Sequence, residues 1–132
     1  MRALFPYAET TNGVTVRVSV SYQPDQSEPG RGRWFWAYHI RIENHGVQTL
    51  QLLSRRWIIT DARGARHTVE GEGVVGEKPV VAPGASYDYV SGCPLATPSG
   101  TMQGSFRMIG ADGAMFDVAV PRFALLAPAV GA

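Results

Sequence analysis

Gly71-Glu72-Gly73-Val74-Val75-Gly76-Glu77-Lys78-Pro79-Val80-Val81-Ala82-Pro83-Gly84 is the stretch on which the fold turns. Its first six residues match G-x-G-x-x-G, the spacing that in dinucleotide-binding folds sets a pyrophosphate on a helix N-terminus within a strand-helix-strand unit. The residues that follow refuse the helix. Pro79 and Pro83 enclose a β-branched run, Val80-Val81, and Pro83-Gly84 is a turn signal, so the segment reads as short extended chain and a turn. The glycines therefore belong to a β protein, and their chemistry has to be judged in that setting.

Outward from this segment the chain alternates with period two. Val14, Val16, Val18 and Val20 alternate with Thr15, Arg17, Ser19 and Ser21, as in a strand with one buried and one wet face. Gln23 to Arg33, with Pro24, Pro29, Gly30 and Gly32, reads as a polar, mobile connection. Trp34, Trp36, Tyr38, Ile40 and Ile42 then share one face of a strand central to the core, which turns at Asn44-His45-Gly46. In Thr49–Thr60, Leu50 and Leu52 alternate, Leu53 breaks the parity, and Trp57 and Ile59 resume it on the other count. That change predicts a bulge near Ser54-Arg55. Further strands are expected at Arg66–Glu70, Ser86–Val90, Gly104–Ile109 and Met115–Leu125, with no helix. The class is an all-β, antiparallel sandwich of fibronectin type III or immunoglobulin type with seven to eight strands. Periodicity does not separate it from a closed barrel.

The 132 residues suit one domain, placed at residues 1–126, with a small apolar tail, 127–132, expected to fray. Fifteen glycines and nine prolines agree with many turns, and a net charge of +1 gives no electrostatic ground for a nucleic-acid groove or an anionic membrane surface. No run approaches the roughly 20 apolar residues of a membrane span. Cys93 is the single cysteine, so an internal disulfide is impossible, and a cytoplasmic setting is expected.

QLLSRRWIITD at Gln51–Asp61, VEGEGVVGEKPVVAPG at Val69–Gly84 and YVSGCPLATPSGTMQGSF at Tyr89–Phe106, with FWAYHIRIENHG near residue 40 and VPRFALL near the end, resemble the bacterial ApaG family over nearly the whole chain. The resemblance implies a fibronectin type III-like sandwich. For function it implies binding rather than catalysis, because related domains occur in eukaryotic F-box and polymerase-interacting proteins. It also carries an association with cobalt and magnesium phenotypes, without a biochemical role.

Two candidate sites follow. Gly71, Gly73 and Gly76 form a possible phosphate or ligand loop, since consecutive amides can make an anion-binding concavity without a helix, and Arg55, Arg56, Arg66 and Lys78 are the nearest cations in sequence. The competing reading gives the glycines positive φ or bulge positions where the chain crosses between sheets. Arg55, Arg56 and Trp57 have the composition of an interaction surface, an amphipathic ring beside forked donors. Ordinary core tryptophan flanked by surface arginine is the alternative. No nucleophile with a base, no paired carboxylates and no His pair at ligand spacing are visible, so no catalytic residue, metal site or cofactor is expected. A weak Mg²⁺ contact through Glu70, Glu72 or Glu77 stays open, since such sites use few protein ligands, with solvated surface acid as the alternative. The leading expectation is a non-enzymatic module with a protein partner, and the rival is a pyrophosphate- or nucleotide-sensing domain. Self-association through edge strands is a further route.

Overall fold

The computed structural model describes residues 5–128, which form two antiparallel sheets and contain no α-helix. One sheet runs β1 (Tyr7–Thr11), β2 (Val14–Tyr22), β3 (Trp34–Asn44) and β7 (Ser86–Leu95) in spatial order. The other runs β5 (Arg66–Glu72), β4 (Leu50–Asp61), β8 (Ser99–Gly110) and β9 (Met115–Leu126), with the two-residue β6 (Val80–Val81) paired to β4 beyond the end of β5. The sheets are separate, so the sandwich holds and the closed barrel falls away. Nine strands form where seven to eight were expected. The strand least visible in sequence is β1, whose central residues are all exposed and so show no alternation.

The core follows the period-two faces. Val14, Val16 and Val18 of β2 lie opposite Asn44, Ile42 and Ile40 of β3, and all the apolar members of this set are buried. Trp36 and Tyr38 extend the same face. Phe35, on the opposite face, lays its ring over Gly92 of β7, where a β-carbon would stand 2.2 Å from the ring tip. From the other sheet come Leu52, Trp57, Met102, Phe106, Met108, Val118, Phe123 and Leu125. The Trp57 ring meets Tyr38, Phe106 and Phe123 edge-on with centroids 5.5–6.1 Å apart, the geometry aromatic quadrupoles favour.

The Gln23–Arg33 connection is more organised than its composition suggests. It forms two single 3-10 turns, Pro24–Gln26 and Pro29–Arg31, and Ser27 ties it to β3 by donating to the Gln23 carbonyl at 2.8 Å and accepting from the Phe35 amide at 2.9 Å. At the C-terminus the Ala127 amide donates to the Pro98 carbonyl at 2.9 Å, and residues 129–132 of the expected tail lie outside the described residues. No helix among the described residues is long and apolar enough to cross a membrane.

The two lateral sides of the sandwich differ. On one, β1 packs against β9: the Ala119 amide donates to Thr11 Oγ1 at 3.2 Å and the Ala124 amide to the Tyr7 hydroxyl at 3.3 Å. On the other, β5 and β7 are each the last strand of their sheet, and a cleft opens between them.

Candidate functional site

A local irregularity in β4 sets up this cleft. Pairing with β8 shifts register between Leu52 and Ser54, which makes Leu53 the extra residue, one position before the expected Ser54-Arg55. Side chains beyond a bulge change face. Leu50 and Leu52 point inward before it, and Arg55, Trp57 and Ile59 share the inner face after it, whereas Arg56 turns outward. An uninterrupted strand would have put Arg56 inside and Arg55 in solvent.

The glycine segment completes the arrangement, and each glycine does something different. Gly71 lies across from Arg55, whose guanidinium rests where a side chain would begin: a β-carbon there would stand 2.9 Å from both terminal nitrogens. Gly73, at φ +65°, packs so closely that a β-carbon would sit 2.2 Å from the Glu77 carbonyl oxygen. Its amide donates to the bulged Leu53 carbonyl at 2.9 Å. Val74 and Glu77 exchange backbone hydrogen bonds at 2.8 and 2.9 Å around a two-residue turn, in which Val75 and Gly76 have φ +49° and +78°. Two positive φ values are what a type I′ hairpin turn requires, and asparagine-glycine is its usual pair. Val75 is a β-branched residue held in the left-handed region, and its side chain stands 61% exposed at the cleft rim.

The loop presents carbonyls, not amides, to its charged neighbour. Arg55 Nη1 donates to the Glu72 oxygen at 3.0 Å and the Gly73 oxygen at 2.9 Å. The Gly73 and Val74 amides are committed to backbone partners. The segment is thus shaped as a clamp on a cation.

The cleft encloses about 610 Å³. Trp57, Ile59, Val69, Val74, Leu95 and Met102 give it apolar walls. Val69 points to the inner face of β5 yet stays 41% exposed, because β7 does not reach across to cover it. Tyr38, Tyr89, Ser91 and Arg55 converge as its polar groups. The Tyr89 hydroxyl is buried, has no hydrogen-bond partner among the described residues, and belongs to a residue only 8% exposed. Leaving such a group unmatched costs about 1–3 kcal/mol. Burial pushes the Tyr89 phenol far above its ordinary range, with Tyr38 adding to the effect and the Arg55 charge opposing it. Tyr38 is also raised by burial, countered by hydrogen bonding to Ser91, its partner across the strands, and by Arg55. Both phenols are therefore neutral hydrogen-bonding groups at physiological pH. Cys93 is buried, and that burial pushes its thiol up to about 11, which makes it a poor nucleophile.

Among the expected residues, then, Arg55 and Gly71 meet directly and Gly73 and Gly76 shape the loop beside them. Trp57 does not stand on the open surface: at 3% exposure it is core, and it contributes to the cleft wall. Arg56 faces the other way and pairs with Glu70 at 3.1 Å, an exposed contact worth less than about 1 kcal/mol. Lys78 pairs with Glu72 at 3.6 Å, so Glu70 and Glu72 are drawn to separate cations. No group of three His, Cys, Asp or Glu residues among the described residues is placed to hold a metal ion. Tyr38, Tyr89 and Ser91 were not legible as site residues. Ser91-Gly92 reads as the end of a strand, whereas β7 runs on to Leu95 and keeps Tyr89, Ser91 and Cys93 on its inner face.

Comparison with known proteins agrees with this architecture. The chain is 51% identical to Protein ApaG of Paramagnetospirillum magneticum over 122 residues, covering 92% of this chain and 94% of the relative. It is 50% identical to Protein ApaG of Pseudomonas aeruginosa over 121 residues, covering 92% and 96%. A crystal structure of an ApaA protein from Bordetella pertussis superposes with a TM-score of 0.85 at 44% identity, covering 87% of this chain and 94% of that one. The C-terminal domain of Wzt, at 12% identity and a TM-score of 0.55, shares the fold alone. The ApaG domain model matches residues 24–110, from the ordered connection through the cleft strands to the end of β8, and the chain belongs to the ApaG domain family.

Proposed function

We propose that the chain is a non-enzymatic interaction module that receives a protein partner in the cleft between β5 and β7, with Arg55 as its principal recognition cation. The observation that carries this reading is the state of Arg55. Its guanidinium is part-buried and fixed by two loop carbonyls, and among the described residues it has no carboxylate within ion-pair distance. A forked, pre-oriented donor beside apolar walls is the composition of a binding hot spot. Binding is favoured over catalysis because the buried ionisable groups facing the cleft, Tyr38, Tyr89 and Cys93, are shifted away from proton transfer near neutral pH, while Asp61, His67 and Glu72 line its more exposed parts. A reducing, cytoplasmic setting suits a chain whose one cysteine is buried.

Against the phosphate-sensing alternative stands the engagement of the Gly73 and Val74 amides in the loop's own hydrogen bonds. The test compares Arg55→Ala with Arg56→Ala. Arg55→Ala is expected to weaken capture of a partner from cell extract at least tenfold while the thermal midpoint moves by only a few degrees. Arg56→Ala, on the outer face, is expected to leave capture intact. Equal capture by all three proteins would remove the cleft from consideration.

A further inference from the structure

The cleft's charge and edges specify what kind of partner segment fits. Among the described lining residues Arg55 is the one Lys or Arg side chain, and it has no acidic partner, whereas Asp61 and Glu72 add negative charge beside His67. A multiply charged phosphate would meet repulsion there, whereas a single carboxylate matches the fork. With Nη1 engaged by the loop carbonyls, the Nε and Nη2 groups of Arg55 have no hydrogen-bond partner among the described residues and offer the parallel pair of donors that a carboxylate accepts. The enclosed Tyr89 hydroxyl, without a hydrogen-bond partner among the described residues, is a second, independent polar group, on a residue that lines the same cleft.

The rest of the ligand has to be apolar and extended. Val69 and Val75 are exposed apolar side chains on the lining, and Val75 is kept there at a backbone conformation that costs a β-branched residue energy. The outer edge of β7, ten residues long, is unpaired and borders the cleft, so its backbone groups are open to a chain adding alongside. A volume of about 610 Å³ holds the end of a chain rather than a long segment.

We infer that this cleft captures the C-terminus of a partner polypeptide, with the terminal carboxylate on Arg55 and the Tyr89 hydroxyl and an apolar last residue against Val69 and Val75. The inference rests on the interaction-module reading above and adds the chemistry of what is recognised.

The experiment is an affinity selection from N-acetylated hexapeptides randomised at the last three positions, made once with free C-terminal carboxylates and once as C-terminal amides. The expected result is enrichment of free-acid peptides with an apolar last residue. By fluorescence anisotropy, the enriched sequences should bind at least tenfold more weakly as amides and at least tenfold more weakly to Arg55→Ala. Tyr89→Phe, which keeps the ring, should weaken binding several-fold with an equal or higher thermal midpoint. Arg56→Ala should bind as the parent does. Equal binding of acid and amide, or no enrichment above the background of Arg55→Ala, would overturn the inference. If Arg55→Ala still abolished partner capture in that case, the module reading would stand and only the carboxylate assignment would fall.

Discussion

Gly71 and Gly73 stand two residues apart and should respond differently to the same substitution. A methyl at position 71 meets only the movable end of Arg55, so Gly71→Ala should fold with a loss of less than about 1 kcal/mol while displacing the guanidinium and weakening partner capture. A methyl at position 73 meets the Glu77 carbonyl at a positive φ, so Gly73→Ala should cost on the order of 2 kcal/mol or more. Chemical denaturation beside the capture assay separates the two. Cys93 gives a pH-dependent prediction. Its folded pKa is raised, so its contribution to stability is complete below the unfolded value near 9 and is lost as pH rises toward about 11. Native protein at pH 8 should react with a thiol reagent at least a hundredfold more slowly than denatured protein, and Cys93→Ala should lose less stability than the parent between pH 9 and 11.

At the scale of elements, the outer face of β3 is held by Glu43. Its carboxylate, 16% exposed, accepts from Arg17 Nε at 2.9 Å and Arg41 Nε at 3.0 Å, and lies 3.0 Å from His45 Nε2. Hydrogen bonding to Arg17, with smaller help from His45 and Arg41, holds it below the ordinary carboxylate range despite partial burial. Because the folded pKa is lowered, the stability it contributes is present above the unfolded pKa and disappears as pH falls through the folded one. Glu43→Gln should cost about 1 kcal/mol at pH 7, with the difference from the parent vanishing in acid, as urea denaturation across that range would record. Elements such as β2 and β3 were legible because Val14–Val20 and Trp34–Ile42 each bury one face. The bulge was legible in the parity change after Leu52, but the split it forces between Arg55 and Arg56 was not drawn from it, and the two were grouped on one surface. The inward role of Ser91 and Cys93 was hidden, because Gly92 and Pro94 look like a turn yet serve an edge strand, where a missing amide and a missing side chain are tolerated. Which residue occupied the space over Gly71 was also hidden, because only strand pairing brings Arg55 there.

For the whole molecule, the asymmetry between its two sides gives the account its centre. One side is sealed by β1 on β9, and the other is left open, with a glycine loop holding an arginine at the opening. The hexapeptide with the spacing of a phosphate site sets the Glu72 and Gly73 carbonyls on the Arg55 guanidinium. The most direct measurement is an amide-resolved NMR titration of labelled protein with N-acetyl-L-leucine and, separately, with pyrophosphate. The account predicts saturable shifts at Val69, Tyr89, Ser91 and the Arg55 Nε proton with N-acetyl-L-leucine, lost in Arg55→Ala, and no saturable response to pyrophosphate at Gly71–Gly76. Saturable pyrophosphate shifts confined to Gly71–Gly76 and persisting in Arg55→Ala would contradict it.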